Sequence, residues 1–132
     1  MAALKADRNT PYRDGSLVTY KVAAGAKIFA GSMVSLDGGY AKAMVKEADK
    51  ALAGRAEEFV DNTGGSAGDK MVLVRRGVAF KWANAAAAGA IKQADVGAKA
   101  YAVDDQTVTK TAAGATSVGE VLEVDSDGVW VL

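Results

Sequence analysis

The sequence predicts an all-β fold, a small sandwich or barrel with minor helical turns and an extended N-terminal arm. Three observations predict it. Short apolar or alternating runs recur at roughly ten-residue spacing, each closed by Gly- or Asp-rich turns. The one longer pattern, Lys70 to Trp82, reads as a strand that bends at Gly77. The stretches that favour helix are too short or too irregular to build a helical layer.

The Lys70 to Trp82 segment organises the rest. Met71-Val72-Leu73-Val74 is a continuous apolar run rich in β-branched residues, the pattern of a central strand buried on both faces. Beyond it, Val78, Phe80 and Trp82 share one face and Ala79 and Lys81 the other, as a two-residue period requires. A Gly inside such a pattern marks a bend where a strand passes from one sheet to another.

Residues 1–15 carry no sustained period and read as an extended arm, with residues 16–132 forming a single β domain. A terminus of this kind frays by default. Pro11 and Tyr12 give it something to bury, and Arg8 and Arg13 something to pair, so the alternative is an arm that orders on a neighbouring subunit.

Ser16 to Val22 alternates as a strand, with Val18, Tyr20 and Val22 on one face. Ser32 to Leu36 is a second strand. Asp37-Gly38-Gly39-Tyr40 is a hairpin signal, because paired glycines supply the positive φ of a primed turn. Tyr40 to Val45 returns antiparallel. Met44, Ala48, Ala51 and Leu52 would stripe a helix, but the segment Met44 to Ala53 is read as a loop or a short helical turn. Gly54 to Val60 is a strand, and Asp61 to Asp69, almost wholly turn formers, is an exposed tip.

After Trp82, Ala85 to Ala90 is low in complexity, and Ile91 to Gly97 reads as one helical turn stopped by Gly. Ala98 to Val103 is a strand, Asp104 to Gln106 a turn, and Thr107 to Lys110 the return. Val118 to Val124 is a strand, Asp125 to Gly128 a turn, and Val129 to Leu132 a last strand. An end reading Trp-Val-Leu is expected to pair in the sheet or to be buried in a partner.

Composition narrows the function. The 132 residues suit one domain, half are apolar, and aromatics are only 7%. The core is therefore thin, and oligomerisation is an ordinary remedy. Sixteen basic residues balance sixteen acidic ones, which argues against nucleic-acid binding. With no Cys and no His, Ser-His-Asp and Cys-His catalysis and the usual zinc sites are excluded. No apolar run approaches the ~20 residues of a membrane span, and the N-terminus lacks the apolar stretch of a signal peptide. A soluble product made in a cytoplasm, with no metal and no cofactor, is expected.

The local motifs are read plainly. Asp125-Ser126-Asp127-Gly128 starts like a calcium loop, but no bidentate Glu follows, so a hairpin turn is expected. Gly64 to Lys70 lacks the Gly-Lys-Ser/Thr ending of a phosphate loop. Asp104-Asp105 and Glu57-Glu58 are sequence neighbours, which a strand points to opposite faces. Arg55, Arg75 and Arg76 either pair with a neighbouring subunit or stand as exposed corner charges. Trp82 and Trp130 read first as core, with an interface place for one of them unsurprising.

Taken together, several segments in order resemble the phage capsid cement, or head decoration, proteins. They are Val22 to Val34, Gly54-Arg55-Ala56, Asp61 to Gly65 with Gly68-Asp69, Arg76-Gly77-Val78, Ala94 to Gly97, and Val118 to Val124. They cover most of residues 16–132 and little of the arm. The resemblance implies a β-barrel-like or β-tulip-like domain and homotrimers on the outer surface of a virion capsid. These would sit at threefold and quasi-threefold positions, clamping the major capsid protein after expansion, with no nucleic acid or membrane as partner. Arg8, Pro11, Tyr12 and Arg13 are then expected to contact the capsid or a neighbour, and Arg75, Arg76 and Trp130 the trimer interface. A phage tail or baseplate β-module, and a carboxylate-dependent hydrolase, are the competing readings.

Overall fold

The computed structural model describes residues 2–132 and is all-β with one closed five-stranded barrel. Twelve strands are formed: β1 (Leu17–Lys21), β2 (Lys27–Ile28), β3 (Met33–Asp37), β4 (Tyr40–Ala43), β5 (Ala51–Ala56), β6 (Val60–Asp61), β7 (Met71–Arg75), β8 (Phe80–Asn84), β9 (Lys99–Ala102), β10 (Thr107–Thr109), β11 (Ser117–Asp125) and β12 (Gly128–Val131). The helical turns are two short 3₁₀ segments, Ala87–Gly89 and Gln93–Asp95.

Strands β1-β7-β5-β3-β4 make one sheet, and β10-β8-β12-β11-β9 close the barrel. The sheet curls toward closure, because a bridge joins Val22 to Ala41 and the Ala23 N–H donates to the Ala41 carbonyl. The barrel closes through the parallel pairing of β10 with β8. The Gly77 corner lies between the two layers: β7 belongs to the sheet and β8 to the barrel, and Gly77 has a φ of 77°.

Two buried clusters result. Val22, Ile28, Val34, Val60, Val72 and Val74 lead one, beneath the curled sheet. Trp82, Ile91, Val108, Val121, Val129 and Val131 lead the other, inside the barrel. Strands β3 and β5 serve both. Met33 and Leu52 point to the barrel, and Val34 and Ala53 to the sheet cluster, as strand alternation dictates.

Four expectations change. Met71 to Val74 is not buried on both faces: Val72 and Val74 are fully buried, Met71 is exposed and Leu73 half-buried, because no layer covers the outer face of β1 and β7. Nor is β7 central, since β5 lies in the middle of the sheet. The strand read at Gly54 to Val60 is two elements. β5 begins at Ala51, a bulge falls at Ala53-Gly54, and Val60–Asp61 pairs separately with Lys27–Ile28. The tip at 61–69 is anchored, because Asn62 is buried. Its Nδ2 donates to the carbonyls of Ala23 (2.9 Å) and Ser66 (3.0 Å), and its N–H donates to Ala26.

Other expectations hold. Within Met44 to Ala53, residues 44–50 form a loop without helix, while 51–53 already belong to β5; Gly38 and Gly39 carry the positive φ of the β3–β4 turn. The end of β12 is paired, with Leu132 and Glu120 exchanging backbone hydrogen bonds.

Candidate interaction surfaces

The arm comes first. Residues 2–15 form no strand or helix and every one is exposed. Its hydrogen bonds are local: Arg8 with Thr10, and Asp14 with Ser16. Tyr12 is 99% exposed, and no hydrogen bond or ion pair ties Arg13 or Pro11 to the rest of the described residues.

The corner arginines lie at the root of this arm. Leu17 pairs with Arg75 across the β1–β7 ladder, and the Arg76 N–H donates to the Ser16 carbonyl. Their side chains are already partnered inside the chain. Glu57 accepts from Arg55 and, at 3.3 Å, from Arg75, while Arg76 donates to the Tyr20 hydroxyl at 2.8 Å. Arg55 also lies over the Phe80 ring, 4.9 Å from its centre.

Trp130 is half-buried on the outside of the barrel. Its indole N–H donates to Asp125, and the Lys81 ammonium sits 5.9 Å from its ring centre. With Arg55, Phe80, Trp82 and Gln106 it lines an open groove between barrel and sheet. The fold therefore brings Arg75 and Arg76 to the arm root, while Trp130 lies apart from them, in the groove that Arg55 also lines.

One surface was not singled out from sequence. The β2–β6 ribbon pairs Ile28 with Val60, so the next residues outward, Phe29 and Phe59, meet across it. Their rings stack at 5.2 Å and are 57% and 52% exposed. Lys27 holds its ammonium 5.6 and 6.0 Å from the two ring centres. Met71, 49% exposed, and Glu58 border the shallow hollow beside Phe59. The signal was present in Ile28-Phe29 and Phe59-Val60. Adjacent apolar residues on a strand cannot both face inward.

Two pairs of acidic residues are bridged by lysines. Asp37 and Glu47 share Lys42 at 3.4 and 2.9 Å, and Asp125 and Asp127 share Lys81. Hydrogen bonds from Lys50 and then Lys42 hold the Asp37 carboxyl below the usual carboxylate range. Lys81 does the same for Asp127, and Arg55 followed by Arg75 for Glu57. A general acid needs the opposite shift. Among the described residues, no group of three or more Asp or Glu is placed to hold a metal ion, and no helix is long and apolar enough to cross a membrane.

These pairs give a pH prediction. Groups with lowered folded pKa values contribute stability that is present above their unfolded values, near pH 4, and lost as pH falls through the lowered ones. Thermal stability should be flat near neutrality and should fall below about pH 4. Replacing Glu57 by Gln should shrink that acid-side loss, measured as melting temperature against pH. An unchanged profile would mean that Glu57 takes no part.

No protein-family model matches this chain, and neither a curated protein nor a solved structure does.

Proposed function

We propose that this protein is a phage virion component that acts by binding: a capsid cement, or decoration, protein on the outer surface of the shell. One observation carries the reading. A β domain with two small cores holds out an arm, described over residues 2–15, whose Tyr12, Pro11, Arg8 and Arg13 have no partner in the domain among the described residues. Side chains of this kind gain most by docking on another surface, because aromatic and Arg residues dominate binding energy at interfaces. The proposed partner is the major capsid protein, engaged by homotrimers at threefold and quasi-threefold positions. Many modest contacts stabilise a shell because they favour the assembled state over the dissociated one.

Mixing the purified protein with matching undecorated capsids and imaging them tests this. Density at those positions is expected. Deleting residues 1–15 should leave the domain folded and reduce occupancy at least tenfold. Full decoration by the truncated protein would remove the arm from the mechanism, and bare shells with the complete protein would sink the reading.

A further inference from the structure

We infer that the Phe29–Phe59 surface is the docking site for the arm of a second copy of this chain, with Tyr12 as the inserted residue. The inference deepens the proposal of an oligomeric binding protein and rests on it.

The apolar surface left in water is the first reason. Two half-exposed phenylalanine rings leave roughly 200 Å² of ring uncovered, and Met71 extends the patch. With Met71 included, the patch approaches the few hundred Å² of the largest patch on a typical monomer, which is often functional. The second reason is the match between patch and arm. The patch presents aromatic faces and the Met71 thioether beside Glu58, an exposed carboxylate with no ion-pair partner among the described residues. The arm presents a wholly exposed aromatic ring flanked by Arg8 and Arg13. Tyr12 would lie against the rings as offset aromatic pairs do, and an arginine would reach Glu58.

Length alone lets the arm reach the patch of its own chain or of a second copy. The arm leaves β1 at Leu17, whereas Met71 pairs with Lys21 at the far end of the same strand. That end lies about 13 Å away at strand spacing, and an extended Tyr12 reaches about 17 Å from Leu17. The chain's own arm could double back to the patch, yet Tyr12 lies free in solvent. In a closed trimer each arm meets the patch of the next copy without that reversal. Lys27, whose ammonium lies over both rings, would swing aside to the rim of the contact as Tyr12 seats.

Sedimentation of the full-length chain over a concentration series tests the contact without any capsid. Wild type is expected to self-associate, and Tyr12→Ala and Phe59→Ser each to weaken association at least tenfold. An equimolar mixture of the two variants should associate more tightly than either alone, because the intact arm of one meets the intact patch of the other. Amide spectra check that Phe59→Ser is folded; Met71→Lys, at an exposed position, serves if it is not. A wild-type chain that stays monomeric, a loss with Phe59→Ser but not with Tyr12→Ala (patch against patch), or a mixture no better than its components overturns the inference. Capsids decorated by a monomeric chain would overturn it while leaving the capsid-binding reading in place.

Discussion

Replacing Gly54 by Ala should cost at least ~3 kcal/mol, a large part of the 5–15 kcal/mol that holds a small domain together. Gly54 sits in the β5 bulge with a φ of 143°, a region that side chains avoid. A Cβ there would stand 2.2 Å from the Arg75 carbonyl oxygen and 2.9 Å from a Val74 methyl. The first obstacle is backbone, so no rotamer change relieves it. Strand β7 would have to move away from β5, breaking the Arg55–Arg75 and Ala56–Val74 pairing that closes the middle of the sheet. Gly38 is the internal control. It has a φ of 58° in the β3–β4 turn, but nothing stands within 4 Å of its Cβ position. Gly38→Ala should therefore cost only about 1 kcal/mol, the ordinary left-handed penalty. Urea unfolding of both variants measures the difference. A Gly54→Ala protein within 1 kcal/mol of wild type would show that the sheet yields at this point.

What the sequence disclosed was local. The Gly38-Gly39 turn, the Gly77 corner, the loop at 44–50 and the order of the short strands all follow from residues within a few positions of each other, and the all-β class followed from them. What it concealed was pairing over distance. Nothing near Thr107 announces that β10 lies parallel to β8 and closes a barrel. The bulge at Ala53-Gly54 resets the alternation of β5, so the strand pattern in sequence starts at Gly54 although the strand starts at Ala51. Asn62 stands in a run of turn formers, and only the approach of Ala23 and Ser66 makes it a buried hub.

The candidate surfaces divide the same way. The arm was legible because an aperiodic stretch carrying Pro11, Tyr12 and two arginines has nothing in its own sequence to bury against. The Phe29–Phe59 pair was not, since thirty residues separate halves that meet only through the β2–β6 ladder. Arg75 and Arg76 were visible as corner charges, but their capture by Glu57 and Tyr20 needed the fold.

Met33→Ala should be the second severe change, and its signature should reach beyond the strand that carries it. Met33 is fully buried and belongs by chain position to β3 of the curled sheet, yet its side chain packs among the barrel residues. Its N–H also donates to the Asp105 carbonyl, in the turn between two barrel strands, at 2.7 Å. Thr116 makes a similar tie. It donates to the Glu47 carbonyl at 2.6 Å and accepts from the Lys50 N–H at 3.2 Å. Two cores linked by shared strands and by these hydrogen bonds should melt as one unit. Truncating Met33 deletes about 2–5 kcal/mol of buried packing, and that loss should appear in both layers. Hydrogen exchange should show β11 and β12 amides losing protection together with those of β3 and β5, and calorimetry a single, lower transition. If the barrel alone lost protection, or the melt split in two, the layers would be independent units, and the position of Met33 would be a packing detail without consequence for cooperativity.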